Sequence, residues 1–402
     1  MTEPSATDLL AKAGSLKSTI VAARRHIHSH PELSFHERET ATYVAAQLAP
    51  LAYDLRKSAA GTGLIAEIGE ADEVIGIRAD MDALPIQEIN EQEYCSKNEK
   101  VMHACGHDVH TAAAIGAATI LSELKKEGKL KGRYRFIFQP AEEMVNEEGQ
   151  SGASLMMQEG CLDKLKALIA IHVHPGMPTG TLGFRNGTFL AACDSFEIII
   201  RGRGGHGAHP EDTEDVVVLA CGLVQNLQTI ISRRKSALSP AVLTIGGIKS
   251  DTYRPNIITD KVSLTGTVRY FDESLSQFFQ NEITLAAKAL EAFGARVELE
   301  YKRENPTLFN DVSVTSTIKE VAISMIGPDK VIDLPLELGA EDFSFYTKKV
   351  PSSFAIVGCA IEGSPREIHT STFDIDEDAL VYGTALLCAG ALRLAKHAVA
   401  EA

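Results

Sequence analysis

The stretch Met102-His103-Ala104-Cys105-Gly106-His107-Asp108-Val109-His110 places five side chains able to bind a metal within nine residues. Imidazole and thiolate suit zinc and the late transition metals, and Cys105 and His107, two residues apart, can converge on one ion from an irregular segment. Positions two apart on a helix diverge, so the pair is expected in a loop, with a helix starting near Asp108 as its N-cap. The small apolar run Thr111 to Ala118 suits a buried helix, whose positive N-terminal end is expected to lower the Cys105 thiol pKa. Taken alone, a Cys-x-His pair is more often a buried cysteine beside surface histidines. Other segments shift that balance.

Phe136-Ile137-Phe138 leads through Gln139-Pro140-Ala141 straight into Glu142-Glu143. Two carboxylates at the end of a buried strand are costly unless a cation or a reaction uses them. One can ligate a metal while its neighbour acts on water as general base; the plain alternative is a solvated turn. Ile171-His172-Val173-His174 closes another apolar run with two histidines on one strand face, and either can be a ligand. Asp80 and Asp82 follow a third run. His369 lies in a loop before an acidic helix start, where spacing alone reads as a surface histidine. Gly205-His206-Gly207 offers an imidazole between glycines that free its backbone to reach out; the ordinary alternative is a histidine capping a turn.

Strands must aim these groups. Val74–Arg78, Tyr134–Phe138, Leu168–Val173 and Phe354–Val357 are compact and apolar enough to be covered on both faces, and they alternate with long amphipathic stretches, beginning with helical spacing from Leu9 to His30. That pattern predicts an α/β layer, with the ligand site beyond the carboxyl ends of the strands. The middle of the chain reads as strand Ser195–Arg201, helix Glu214–Arg233, strands Ala241–Ile248 and Lys261–Arg269, helix Ser274–Phe293 and strand Arg296–Tyr301. This βαββαβ order is the ferredoxin-like unit. The expected division is a catalytic domain over residues 1–182 and 304–402, with an inserted domain over 183–303. No internal repeat is visible.

A chain of 402 residues suits two domains, each with its own core. Acidic residues outnumber basic ones 54 to 39, a formal charge of −15, which argues against nucleic acid or an anionic membrane as the main partner. An anionic small molecule would need a specific arginine in a pocket. Met1-Thr2-Glu3-Pro4-Ser5 has neither a basic nor an apolar leader character, no run reads as membrane-spanning, and a cytoplasmic location is expected. The seven cysteines are odd in number and scattered, unlike a disulfide framework, and most are expected to be buried thiols.

Taken together, Arg78-Ala79-Asp80-Met81-Asp82-Ala83-Leu84-Pro85, Met102 to His110, Phe138 to Glu143, Gly205-His206, Gly339-Ala340-Glu341-Asp342-Phe343-Ser344 and His369 resemble the aminoacylase and carboxypeptidase family of dinuclear metallopeptidases. The likeness is strongest to its amidohydrolase branch, which includes hippurate and indoleacetyl-amino-acid hydrolases, and runs from about His26 to Glu377. It implies an α/β catalytic domain with a mixed sheet and flanking helices, plus an inserted lid that forms a homodimer contact. It also implies two divalent metals per subunit, zinc or manganese with cobalt as a further option. Carried over by position, the ligands are Cys105, His107, Glu143, His172 and His369, with His174 the competitor for the place of His172. Glu142 becomes the general base and Asp82 a carboxylate orienting the ligands. His206 becomes an oxyanion donor entering the partner subunit's site, and Asn256 and Arg269 become substrate-binding residues. For Arg269, a cross-strand ion pair is the plain alternative. Two departures stand out: Arg254-Pro255-Asn256-Ile257-Ile258-Thr259 where the family often has Asn-Val-Ile-Pro, and no proline after His369-Thr370. The implied activity is hydrolysis of N-acyl or N-aroyl amino acids without a covalent intermediate. A carboxypeptidase or dipeptidase, or a metal-containing binding protein without turnover, are the alternatives.

Overall fold

In a computed structural model, residues 4–58 and 61–400 are described, with side chains to Lys396. The elements are α1 (Ala6–Ser15), α2 (Lys17–Ser29), α3 (Arg38–Leu48), β1 (Asp54–Lys57), β2 (Leu64–Glu70), β3 (Val74–Asp80), α4 (His107–Lys126), β4 (Gly132–Gln139), α5 (Gly152–Gln158), β5 (Leu165–Pro178) and β6 (Leu182–Phe184). There follow β7 (Gly187–Leu190), β8 (Ala192–Arg201), β9 (Gly205–His206), α6 (Val216–Thr229), β10 (Ala241–Ser250), β11 (Ile257–Ile258), β12 (Lys261–Tyr270), α7 (Ser274–Lys288) and β13 (Arg296–Asn305). The chain ends with β14 (Leu308–Asn310), α8 (Val312–Ile326), β15 (Val331–Asp333), α9 (Phe343–Thr347), β16 (Ser352–Ala360) and α10 (Ala379–Ala400).

The chain forms two compact units. The first comprises residues 1–187, 309–335 and 342–402 and holds an eight-stranded mixed sheet in the order β1-β2-β4-β3-β5-β16-β6-β15. Strands β4, β3, β5 and β16 are parallel neighbours, and β1, β2 and β6 supply antiparallel pairings. All seven residues of β3 are buried, as its continuous apolar pattern requires of a strand covered on both faces. Helices α4 and α10 pack on one another and on β3 and β5. The helical run at the N-terminus is two helices, not one: it breaks at Leu16, whose amide serves as the C-cap of α1.

The second unit comprises residues 188–308 and 336–341. Its antiparallel sheet runs β10-β12-β8-β13 with α6 and α7 packed on it, the ferredoxin-like order. The returning segment 336–341 is tied in by Ala191 N–H, which donates to the carbonyls of Glu337 and Gly339.

Two helical stretches, Val216–Arg234 and Ala379–Lys396, are long and apolar enough to cross a membrane, contrary to the expectation that no run reaches that length. The second is 78% buried within the protein. The first is only 28% buried: it turns Val216, Ala220, Leu223, Leu227 and Ile230 onto the core of its own unit and ends in Arg233 and Arg234.

Candidate metal centre

The ends of β3 and β4, the middle of β5, the N-terminus of α4 and the loop before α10 meet at one place in the first unit. Glycine decides the entry to α4. Gly106 occupies the N-cap position with φ of 89°, a conformation that a side chain strains, and a Cβ there would lie 2.4 Å from Val173 Cγ2. The helix therefore begins at His107 rather than after Asp108. Asp108 is not the cap: it is buried in α4, where its Oδ2 accepts from Arg24 Nε at 2.8 Å and from His28 Nδ1 at 2.8 Å.

In the first unit four overlapping trios have their ligand atoms within 4.8 Å of one another: Cys105, His107 and His172; Cys105, Glu143 and His369; His107, Glu142 and Glu143; and Asp80, His107 and His110. The His172 and His369 Nε2 atoms lie 3.5 and 3.3 Å from Cys105 Sγ. Glu143 Oε1 stands between His369 Nε2 at 3.5 Å and His107 Nε2 at 3.9 Å. His174, two residues beyond His172 on the continuing strand β5, is exposed, and its Nδ1 accepts from Gly176 N–H. It is not among the converging groups.

Hydrogen bonds assign the imidazole tautomers. His107 Nδ1–H donates to the Asp82 carbonyl at 2.9 Å and carboxylate at 3.1 Å, so its Nε2 lone pair faces the cluster. His172 Nδ1–H donates to the Val173 carbonyl at 2.8 Å, with the same result. His110 differs. Its Nδ1–H donates to Asp80 Oδ1 at 2.7 Å and its Nε2 accepts from Val173 N–H at 3.0 Å, leaving no lone pair for an ion although it lies beside His107.

Below the cluster runs a buried polar layer. Arg78 donates to Gln139 Oε1 at 2.9 Å, Asp80 Oδ2 at 2.6 Å and Asp342 Oδ1 at 3.0 Å, and Asp342 N–H in turn reaches Glu142 Oε1 at 3.4 Å. Asp82 accepts from Ser34 Oγ at 2.7 Å and from Glu143 N–H at 3.0 Å. A second buried knot anchors the loop that carries His369: Arg24 Nη2 donates to Asp374 Oδ1 at 3.0 Å, Tyr94 OH to Asp374 Oδ2 at 2.9 Å, and His369 N–H to the Ala104 carbonyl at 2.7 Å. His369 itself takes a φ of 60°, a left-handed conformation that the surrounding contacts hold in place.

Burial and the nearby Glu143 push the Cys105 thiol up to about 12, against the lowering expected from the helix terminus. Burial and His110 hold His172 well below the usual histidine value. Burial also works against charge on His107, yet Asp80 and Cys105 outweigh it and hold that imidazole well above its ordinary value. The acidic groups around His107 favour positive charge at that point of the pocket, which a bound cation would satisfy. His107 Nε2 and Glu143 Oε1 are buried without a hydrogen-bond partner, in a protein interior where such atoms are rare. Soft thiolate, imidazole and carboxylate donors with two orphaned atoms fit divalent metal ions.

The other sequence-predicted residues belong to the second unit. His206 is exposed on β9, paired with Ile257 of β11, and Gly207 N–H donates to the Asn256 carbonyl at 2.9 Å, so His206 and Asn256 are neighbours. The glycines flanking His206 serve close approach, not backbone freedom: a Cβ on Gly205 would lie 2.7 Å from Thr213 Cγ2, and one on Gly207 3.2 Å from Asn256. Arg269 lies on β12 opposite Cys193 of β8, away from that pair and without an ion-pair partner among the described residues. Sequence reasoning passed over Arg24 and Glu37, gave Arg78 and Asp342 no role beyond their place in the quoted motifs, and missed the bonding of both His110 nitrogens. Only the unusual burial of charged residues marks them, and burial is not a local sequence signal.

Fold and cluster together define a metal-dependent hydrolase. Residues 76–393 match the model of peptidase family M20/M25/M40. The chain is 36% identical over 383 residues to an N-acetyl-L-cysteine deacetylase of Bacillus subtilis, covering 94% of this chain and 89% of the relative. It is 35% identical over 393 residues to an IAA-amino acid hydrolase (ILR1-like 2) of Arabidopsis thaliana, covering 96% and 88%. The crystal structure of the Bacillus subtilis YXEP protein, a dinuclear metal binding peptidase, superposes with a TM-score of 0.80 at 32% identity, covering 95% of this chain and 99% of that one. The chain belongs to peptidase family M20/M25/M40, and its activity is metal-dependent amide hydrolysis.

Proposed function

We propose that the protein hydrolyses the amide bond of N-acyl or N-aroyl amino acids, releasing a carboxylic acid and a free amino acid. The observation that carries this reading is the convergence of Cys105, His107, Glu143, His172 and His369 on one spot with Glu142 beside them, in a chain whose relatives are named for acylated amino acids. Those five residues would hold two divalent ions, of which zinc suits the thiolate and manganese or cobalt suits the carboxylate and imidazoles. Ions held there would supply Lewis acidity toward the amide carbonyl and favour ionisation of water.

Glu142, oriented by Asp342 N–H, takes a proton from the attacking water. The hydroxide oxygen adds to the amide carbon, and the carbonyl π pair moves onto oxygen. Glu142 then returns the proton to the amide nitrogen as the C–N bond breaks. Asp82 keeps His107 in the Nε2-ligating tautomer and pins the Glu143 backbone. His206 Nδ1 accepts from Ala208 N–H at 3.0 Å, which puts its proton on the exposed Nε2 and makes it a donor suited to an oxyanion. We assign it to the site of a second copy, with Asn256 and Arg269 as contacts for the substrate carboxylate. A homodimer through the second unit is supported by the open edge of β10 and by exposed Val217, Val218 and Ile248. Seven unpaired thiols, Cys221 among them exposed, support a cytoplasmic setting.

The test is metal content by elemental analysis, paired with release of free amino acid from N-acetyl, N-benzoyl, indoleacetyl and peptidyl amino acids before and after chelation. Two metals per chain with chelator-sensitive turnover of acyl amino acids is the expected result. Preference for the peptidyl members would make the protein a carboxypeptidase or dipeptidase, and metal without turnover would make it a binding protein.

A further inference from the structure

We propose that Glu37 is a positioning residue for this hydrolysis: its buried carboxylate grips the Ala141 backbone N–H and thereby sets how Glu142 and Glu143 splay toward the cluster. The proposal rests on the reading that Glu142 is the base and Glu143 a ligand.

Glu37 occupies the N-cap position of α3, where an acidic side chain ordinarily caps its own helix. Here another residue has that task. Glu32 accepts from Arg38 N–H and Glu39 N–H at 3.1 Å and from Thr40 N–H at 2.9 Å. Glu37 is released to reach across to the end of β4, where its Oε1 accepts from Ala141 N–H at 2.7 Å. The same oxygen accepts from Phe35 N–H at 3.0 Å, and Oε2 accepts from Thr62 Oγ1 at 2.5 Å.

Ala141 needs such a grip. It is fully buried with a φ of 48°, a strained conformation for a residue with a Cβ, and it immediately precedes the two glutamates. Its carbonyl accepts from Gly152 N–H at 2.9 Å, and a Cβ on Gly152 would fall 1.6 Å from the Pro140 carbonyl oxygen. Asp82 holds Glu143 N–H two residues further on and is itself held by Ser34 of the Glu32–Glu37 loop. One short loop thus fixes both sides of the turn. Burial, with Asp82 close by, pushes Glu37 up to about 7. A carboxylate kept beside another carboxylate in the interior is costly, and a loop needing only stability has cheaper solutions.

The test compares Glu37→Leu, Glu37→Gln and Glu37→Asp in the full-length, metal-loaded protein. Gln keeps an oxygen for Phe35 and Ala141 and offers its amide to Thr62 Oγ1; Leu keeps volume only; Asp keeps charge but withdraws the acceptor by one methylene. Expected are a kcat about 10-fold or more lower for Leu with KM little changed, an intermediate loss for Asp, and Gln within about 3-fold of the parent. The visible absorption of the cobalt-loaded protein should shift with Leu and not with Gln, which reads ligand orientation without turnover. A Leu variant with two metals, parental kcat and a parental cobalt spectrum overturns the proposal, as does Gln falling as far as Leu. If Leu does not fold, the pair decides: Asp near parent with Gln impaired would make charge the cause and overturn it. A parent inert on every acyl amino acid would refute the substrate reading, while the cobalt spectra still judge the grip.

Discussion

Each unit buries a carboxylate that accepts several hydrogen bonds, and the two networks end differently. In the second unit, Asp194 Oδ2 accepts from Tyr270 OH at 2.9 Å, Ser276 Oγ at 2.9 Å and Tyr301 OH at 2.7 Å, joining three elements of the sheet and α7. Among the described residues of that unit, no buried side-chain polar atom lacks a partner. In the first unit, Asp82 is as heavily bonded, but its network continues through His107 to an Nε2 with none, opposite Glu143 Oε1 in the same state. A saturated network holds a fold together. An open one, whose orphaned atoms face one another across a few ångströms, is built to receive something.

The sharpest way to break that contrast is at the open end. Glu142→Gln should keep both metals and the melting temperature and lose about 10²-fold or more in kcat, as expected if Glu142 is the general base proposed above. A loss under 10-fold, measured by steady-state kinetics on metal-loaded protein, would remove Glu142 from the chemistry. His206→Ala tests whether an exposed residue of the second unit takes part at all; the expected fall in kcat is about 10²-fold, as for loss of one oxyanion donor, with metal content unchanged. Parental kcat would confine function to the first unit.

Asp82→Asn and Asp194→Asn set the two carboxylates side by side. The first should weaken metal affinity about 10–100-fold, read by competition with a chelator, since His107 loses the partner that fixes its tautomer. The second should cost about 1–3 kcal/mol in chemical denaturation and leave metal affinity and kcat at parental values. If Asp194→Asn lowered kcat with stability intact, the saturated network would have a function that its geometry does not announce. Cys221→Ser, on the exposed face of α6, should change neither stability nor turnover measurably.

Much of the candidate metal centre was legible from local pattern. Cys105 and His107 in a loop ahead of a small-residue helix, Glu142-Glu143 after a buried strand, and His172 within another are short-range signals, and the structure draws those residues together. Where local rules competed with packing, packing prevailed. Asp108 looks like an N-cap, but Arg24 and His28, 84 and 80 residues away, make it a buried ion-pair partner. At Cys105, where a helix terminus suggests a lowered thiol pKa, desolvation and Glu143 raise it. The choice between His172 and His174, equivalent on one strand face, depends on how deep each lies along β5. The grip of Glu37 on Ala141 spans 104 residues and leaves no trace in spacing.

Residue types and their order determined the chemistry available to this protein: soft and hard metal donors, paired carboxylates, and a mixed α/β layer joined to a βαββαβ unit, because periodicity and turn residues act over a few positions. Tertiary structure decided which donors keep a free lone pair and which are consumed. His107 and His110 are the same residue type on the same helix turn, yet one offers Nε2 to the cluster and the other has both nitrogens bonded. That difference is set by what faces each ring across the core, Asp82 for one and Asp80 with the Val173 amide for the other, and hydrogen-bond partners so distant in sequence are chosen only when the chain is packed.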